Sequence, residues 1–448
     1  MCGICGFTGY RQDQKTVIER MMKAIAHRGP DSEGSFCREK ITLGFRRLSI
    51  IDLEDGQQPM ESADGNLHIV FNGEIYNYKE LRAELEAFGI SFCTHSDTEV
   101  LINTIQQYGE KALDKLRGMF GFAVWNEKEQ TLMLARDFFG IKPVYYAEID
   151  GHFVFASEIK SILAFPGYER KVNQKALEQY LSFQYSPLEE TFFRGIYKLM
   201  PGHMLLYKNG NYEIKTYFKT KLAPGQWDRK TNMEQLRNEL AENLKDSVKH
   251  HMLSDVEVGA FLSGGVDSGY LASSSGADQA FTVGFDEGDR YSEVNKAAKV
   301  AEKAGLKHHV KIISKQEFWD ALPDVMYHMD EPLGDASAVA LYFLSKEAAG
   351  HVKVVLSGEG ADELFGGYNI YREPEALKKV AWIPFRLRRA VRKLAAKLPD
   401  VKGRDFLIRA GMKVEERFIG NAYIYREKEK AQILKNKVTG PSTQEYLR

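Results

Sequence analysis

The hydrophobic rhythm of the chain changes once, near residue 220, and that change calls for two folding units of different kinds. Before it come short alternating or apolar runs, among them ITLGFRRLSIID, LHIVFNGEIYN, GFAVWNEKEQTLMLARD, PVYYAEIDGHFVFAS and HMLLYKNGNYEIKTYF. Alternation puts every second side chain on one face, so these runs predict strands of an antiparallel system, with turns at Asp64-Gly65 and Asn209-Gly210. Helical spacing lies between them. KELRAELEAFG keeps Leu81, Leu85 and Phe88 on one face, and TEVLINTIQQYGEKALDKLRG continues the pattern with a break at Gly109. After the polar stretch KLAPGQWDRKTN, the strands VEVGAFL, QAFTVGF, HHVKII and VKVVL alternate with helices. That order implies a parallel sheet with ligands at the carboxyl ends of its strands. The expected division is an α+β domain at 1–208, a linker at 209–235 and an α/β domain at 236–448.

Composition narrows the classes of function. The 448 residues are too many for one core, and a net charge of -1 gives no electrostatic drive toward nucleic acid. The one basic stretch, FRLRRAVRKLAAKLPDVKGR at 385–404, mixes its charges with Ala, Leu and Val at helical spacing and reads as a solvated helix face. No run approaches the roughly 18 apolar residues of a membrane span, and no basic-then-apolar leader opens the chain. A cytoplasmic location follows as the expectation. Cys2, Cys5, Cys37 and Cys93 are too few and too clustered to staple the chain, and Cys2-x-x-Cys5 has no partner pair at zinc-binding spacing.

Cys2 carries more weight as a nucleophile. Met1 is removed when a small residue follows, which leaves a thiol and an α-amino group on one residue. That amine titrates at about 7.7–8.0 and so serves as a base near neutral pH. Four segments follow in order: HRGPD at 27–31, RRLSIID at 46–52, NGEIYN at 72–77 and SDTE at 96–99. With RDFFGIKPVYY and FASEIKSIL, they make the first domain resemble the class II glutamine amidotransferases, and the resemblance implies the αββα sandwich of the N-terminal nucleophile hydrolases. It also implies that Arg47 pairs with the glutamine α-carboxylate, with Leu48, Ser49, Ile50 and Ile51 lining the same pocket. Glu74 and Asp97 are expected to face the α-ammonium. The Asn72 side chain and the Gly73 N–H are expected to hold the oxyanion.

FLSGGVDSGYLAS at 261–273 follows a strand and opens a helix, so its backbone N–H groups converge as they do in an anion site. It lacks the lysine of a Walker A loop. SGGVDS, with Ser263, Gly264, Gly265, Asp267 and Ser268, resembles the pyrophosphate loop of the ATP-pyrophosphatases, which implies adenylation. Together with VVLSGEGADELFGGY at 354–368 it resembles the glutamine-dependent asparagine synthetases. That resemblance implies ATP contacts from Leu262, Val283, Ser357 and Gly358, and Mg2+ held by Asp267 and Asp362. It also implies that Glu359 supports a β-aspartyl-AMP intermediate, and that ammonia released at Cys2 crosses an apolar passage between the domains. Asp330, Glu331 and Asp335 read equally as substrate or metal contacts and as a helix start around Ser337.

Family members of this kind continue past position 448 with K-x-D-R-x-S-M and E-x-R-x-P-F-L-D segments. The expectation is therefore a truncated chain with an incomplete synthetase half. Two alternatives stand beside asparagine synthesis: the same plan adenylating another carboxylate, and a protein that only hydrolyses or binds glutamine. The implied partners are glutamine, aspartate and ATP, and the analogy adds a homodimer.

Overall fold

The computed structural model describes residues 1–221, 232–286, 293–399, 401–417, 424–425, 427–435 and 442–446. The alternating runs form strands throughout the first part of the chain. In order they are β1 (Gly3–Thr8), β2 (Ser32–Cys37), β3 (Ile41–Arg47), β4 (Met60–Glu61), β5 (Leu67–Ile75), β6 (Gly118–Asn126), β7 (Thr131–Arg136), β8 (Tyr145–Ile149), β9 (His152–Ala156), β10 (Ile196–Lys198), β11 (His203–Lys208) and β12 (Asn211–Thr216). Two six-stranded sheets result, ordered β10-β8-β9-β1-β3-β2 and β12-β11-β7-β6-β5-β4, with antiparallel neighbours.

The pleat explains the layering. Ile4, Leu43 and Phe155 of the first sheet meet Val70, Trp125 and Leu134 of the second in one shared core. The intervening residues point the other way. Cys5, Phe7 and Val154 pack under the helices Gln14–Ala24 and Ile159–Leu163. Ile69, Phe71 and Val124 pack under Tyr78–Ala87 and Asp97–Tyr108. Each strand thus feeds two hydrophobic layers, and the product is the expected αββα sandwich.

The expected linker begins too early. Residues 211–216 form β12, which pairs with β11 from His203↔Thr216 to Lys208↔Asn211 across the Asn209-Gly210 turn. Both turn residues have positive φ, at 51° and 81°, as a tight hairpin of right-twisted strands requires. NYEIKT is itself an alternating run, and Ile214 packs on the shared core while the Tyr212 ring lies 5.7 Å from that of Tyr146. Of the remaining linker call, residues 222–231 lie outside the described residues.

The second pattern also folds as read. The helix Met233–His251 leads into β13 (Val258–Phe261), followed by β14 (Gln279–Phe285), β15 (Lys307–Ile313) and β16 (Val354–Leu356), with helices Val266–Ser274, Val294–Ala304, Lys315–Met329 and Ser337–Ala349 between strands. Every pair is parallel, in the order β15-β14-β13-β16. The chain reverses its winding between β13 and β16, which opens a crevice beyond their carboxyl ends.

Two compact units emerge, and they do not follow the expected domain line. One holds Met1–Val172, Leu188–Asp330 and Ser337–Ser357, and so contains all three sheets. The antiparallel and parallel parts join within it through Arg117 Nη2 to Asp246 Oδ2 at 2.5 Å and Lys353 Nζ to Asp31 Oδ2 at 2.6 Å. The other holds Asn173–Pro187, Glu331–Ala336 and Gly358–Arg448 and is helical. There the basic stretch forms the helix Phe385–Ala395, whose Arg392 reaches Glu416 and whose Leu387 and Leu394 are exposed.

Phe155→Ala removes a fully buried ring from the shared core. It is expected to destabilise the protein by about 3–5 kcal/mol, read from the midpoint of urea unfolding.

Candidate functional site

β1 starts beside the end of β3, with Gly3 opposite Arg46, so Cys2 lies next to Arg47 and Leu48. The Leu48 N–H approaches the Cys2 Sγ at 3.5 Å, and Arg28 Nε donates to the Cys2 carbonyl at 2.9 Å. From the other sheet, β5 brings Asn72, Gly73 and Glu74 to the same end. The helix Asp97–Tyr108 is capped by Ser96, whose side chain accepts the Thr98 N–H at 3.1 Å, and its Asp97 Oδ2 accepts the Ile75 N–H at 3.0 Å. Cys2, Arg47, Leu48, Ile50, Ile51, Gly73, Glu74 and Asp97 consequently line one narrow cavity.

Two expected residues stand differently. Ser49 turns its N–H to Asp31 Oδ2 at 2.9 Å and is absent from the lining. Asn72 is 1% exposed, and neither its amide nitrogen nor its oxygen has a hydrogen-bond partner among the described residues. A buried amide left unpaired costs about 1–3 kcal/mol, which a ligand recovers by bonding to it. Glu74 Oε2 is likewise buried without a partner.

Arg47 is fixed rather than free. Its guanidinium donates to the carbonyls of Leu53, at 3.2 Å, and Asp52. Gly56 makes this approach possible, since a Cβ there would come 2.6 Å from Arg47 Nη2. The reading from sequence missed Gln58, which accepts the Phe71 N–H at 2.6 Å and donates to Thr98 Oγ1 at 3.1 Å in the pocket wall. Arg28 and Lys142, from HRGPD and RDFFGIKPVYY, carry no role that the spacing alone assigns. Lys142 Nζ is buried 3.0 Å from Met1 Sδ, with no carboxylate bonded to it among the described residues.

Burial dominates the electrostatics. It pushes the Cys2 thiol up, against the Leu48 contact, and lowers the chain-terminal amine at Met1 to about 5, helped by Arg28 and Lys142. Burial lowers the Lys142 ammonium to about 8. Burial also raises the carboxyls of Glu74 and Asp97, and the Asp97 charge adds to the shift at Glu74. A cavity lined by a thiol, a fixed guanidinium and two carboxylates, next to a buried and unpartnered amide, suits an amino acid with an amide side chain.

The second candidate site sits at the carboxyl end of β13. Gly264 has φ 75°, and a Cβ there would lie 2.7 Å from Lys296 Cβ and 2.8 Å from the Ala297 N, so the loop packs directly on the next helix. Ser268 Oγ accepts the Ser263 N–H at 3.2 Å and lies 2.9 Å from Ser263 Oγ. Gly265 caps the helix Val266–Ser274, and Asp267 stands exposed in its first turn, making no hydrogen bond or ion pair among the described residues. Leu262 is buried at the loop base, and Val283 lies on neighbouring β14. Ser357 follows β16, the other strand flanking the crevice. Gly358, Glu359 and Asp362 belong to the helical unit. There Glu359 is exposed, and Asp362 opens the short helix Ala361–Phe365.

Asp330 is corrected. It is not presented to a substrate or metal, because its carboxylate accepts the Ile159 N–H at 2.7 Å and pairs with Lys160 at 3.0 Å, both side chains about one-twelfth exposed. Its φ of 62° ends the helix Lys315–Met329.

The fold and first site define an amidotransferase of the N-terminal nucleophile type joined to a doubly wound sheet. Residues 1–218 match the glutamine amidotransferase domain family and residues 239–440 the asparagine synthase family. Asparagine synthetase (glutamine-hydrolysing) 1 of Bacillus subtilis is 45% identical over 97% of this chain and 70% of its own length. Asparagine synthetase (glutamine-hydrolysing) 3 of the same organism is 32% identical over 86% of this chain and 66% of its own. Amidase chry2 of Gibberella zeae is 32% identical over 83% and 60%. The chain belongs to the glutamine-hydrolysing asparagine synthetase family. Among described residues, no helix is long and apolar enough to cross a membrane.

Because the Glu74 carboxyl titrates above its usual range, the folded state holds this proton more tightly than the unfolded chain. The resulting stability is complete below about 4.3, the unfolded value, and is lost as pH rises toward the raised one. Glu74→Gln is therefore expected to raise the Tm of ligand-free protein at pH 8, at about 2–4 °C per kcal/mol, and to have little effect at pH 4. Added glutamine is expected to raise the Tm of the wild type and not of the variant, in the same thermal-shift series.

Proposed function

We propose that Cys2 hydrolyses glutamine and that the ammonia amidates aspartate activated by ATP, giving asparagine, AMP, diphosphate and glutamate. The observation that carries this is the cavity that Cys2 shares with the anchored Arg47, Gly73, Glu74 and Asp97, next to a buried Asn72 amide that has no hydrogen-bond partner among the described residues. In this reading Arg47 takes the glutamine α-carboxylate, and Glu74 with Asp97 takes the α-ammonium, whose charge relieves their mutual repulsion. Leu48, Ser49, Ile50 and Ile51 shape the wall, Ser49 through its backbone.

With Met1 removed, the Cys2 α-amine accepts the thiol proton as sulfur bonds to the glutamine amide carbon. The Asn72 amide and the Gly73 N–H hold the oxyanion. The carbon–nitrogen bond then breaks, the amine's proton leaves with ammonia, and water hydrolyses the thioester to glutamate. Arg28, bonded to the Cys2 carbonyl at 2.9 Å, brings positive charge beside that amine, which favours its neutral form, the one able to act as base.

In the synthetase half, Ser263, Gly264, Gly265 and Ser268 cradle the diphosphate, while Leu262, Val283, Ser357 and Gly358 contact the rest of ATP. Asp267, exposed and unpaired, suits a hard cation, and with Asp362 it would hold Mg2+, which would neutralise phosphate charge. Glu359 supports formation of β-aspartyl-AMP. An apolar passage carries ammonia un-ionised between the sites. The reading extends to a boundary near residue 217, a cytoplasmic location and a homodimer.

Two results test the reading. Cys2→Ala is expected to abolish glutamate release from glutamine, while any synthesis with added ammonia survives; residual glutaminase activity in that variant overturns the assignment. Asn72→Ala is expected to lower kcat for glutamate release by about 10²–10³ with a much smaller change in KM. Intact mass spectrometry is expected to find the chain short by one methionine.

A further inference from the structure

His309, Glu347 and His351 lie away from both sites, and each offers one ligand atom within 4.8 Å of the other two. We propose that these three residues bind a single divalent transition cation, of which zinc is the chemical type. The site is a structural clip at the amino ends of the parallel strands, opposite the phosphate loop.

The spacing supports the ligand set. Glu347 sits in the last turn of the helix Ser337–Ala349 and His351 in the turn just past its end, and His351 Nε2 stands 3.6 Å from Glu347 Oε1. Two ligands of a tetrahedral zinc with bonds of about 2.0–2.2 Å sit about 3.3–3.6 Å apart, so this pair already has metal-bridging separation. Strand β15 supplies the third group.

The tautomer of His309 is fixed from outside the cluster. Gln279 Nε2 lies 2.6 Å from Glu257 Oε1, and a carboxylate can only accept, so the Gln279 amide oxygen faces the other way. That oxygen is 2.8 Å from His309 Nε2, which must therefore be the N–H. The lone pair is then on Nδ1, which makes no hydrogen bond among the described residues. A carboxylate, an amide and an imidazole in series are how metal-binding histidines are oriented. The ring is held as well, stacked 5.0 Å from that of fully buried Phe281, with the His351 ring 4.0 Å away at a tilt of 38°. An ion pair between Glu347 and His351 alone would leave the oriented Nδ1 of His309 unexplained.

The position sets the role. His309 pairs in register with Phe281, the third residue of β14, near the start of both strands. β15 is an edge strand, and the cation would pin the helix end to it. Glu347 and His351 side chains are 34% and 35% exposed, which leaves a coordination position for water.

The test uses the full chain, stripped with a chelator and titrated with zinc in excess Mg2+ against a chromophoric competitor. One zinc per chain is expected, with a higher Tm when loaded. Co2+ as a probe is expected to give visible d–d bands without thiolate charge transfer, which separates this site from Cys2 and the other cysteines. His309→Phe keeps the ring stacking, and His351→Ala changes an exposed residue. Each is expected to weaken zinc binding more than tenfold, with the zinc-free Tm unchanged in His351→Ala. Gln279→Leu is expected to weaken it by about 10–100-fold. Wild-type zinc affinity in both histidine variants, a thiolate band with Co2+, or no stoichiometric binding by the wild type overturns the proposal.

Discussion

A buried chain of charges holds the nucleophile to the parallel sheet. Arg28 donates to the Cys2 carbonyl and pairs with Glu158 at 2.8 Å. Glu158 also meets Lys160 and accepts from His27 at 3.1 Å, and Lys160 continues to Asp330. Burial opposes ionisation of Glu158, but the His27 contact with the Arg28 and Lys160 charges overrides it and holds the carboxyl down at about 2. Taking such charges out of water costs several kcal/mol each, and only full mutual pairing repays that cost. The arrangement is therefore all or none. Losing one member leaves the others buried and uncompensated, so the position of Cys2 depends on a residue that ends a helix of the synthetase half.

The pocket is tied to the same sheet on its far wall. The segment lining it after Arg47 exchanges two contacts with the approach to β13: the Asp52 N–H donates to Asp255 Oδ2 at 2.8 Å, and the Asp255 N–H to the Ile50 carbonyl at 3.0 Å. Asp31 reaches Ser49 on one side and Lys353 on the other. These neighbours explain why the first compact unit crosses the boundary that the change of rhythm suggested. A change of pattern marks where secondary structure changes, whereas compactness follows the density of contacts across the join.

What could be read in the sequence was whatever short spacing encodes. Period-two runs gave both antiparallel sheets and their turns, and strand–helix alternation gave the parallel sheet. Cys2 and the four ordered segments after it located most of the residues that line the pocket. What escaped depends on partners distant in the chain. NYEIKT reads as a strand by its alternation, but its place in the sandwich rather than in a linker is set by β11 beside it. Asp330 looked like part of an acidic loop, since nothing near it in sequence announces Lys160, 170 positions earlier. Gln58 precedes a proline in a polar stretch, and its two hydrogen bonds into the pocket wall come from Phe71 and Thr98.

The pocket violates the rules that the rest of the molecule obeys. Its sandwich packs apolar side chains on both faces of each sheet, yet the Glu74 and Asp97 carboxyls, the Lys142 ammonium and the Asn72 amide, which has no hydrogen-bond partner among the described residues, are all buried in it. Such a cluster is unfavourable in isolation and persists only where surrounding structure fixes it. Here the scaffold fixes it from three directions: the ladder between β1 and β3, the Ser96 cap that presents Asp97, and the charge chain behind Arg28. A substrate with one carboxylate, one ammonium and one amide complements these unsatisfied groups. Binding of such a ligand is therefore expected to draw on stability that the free protein gives up.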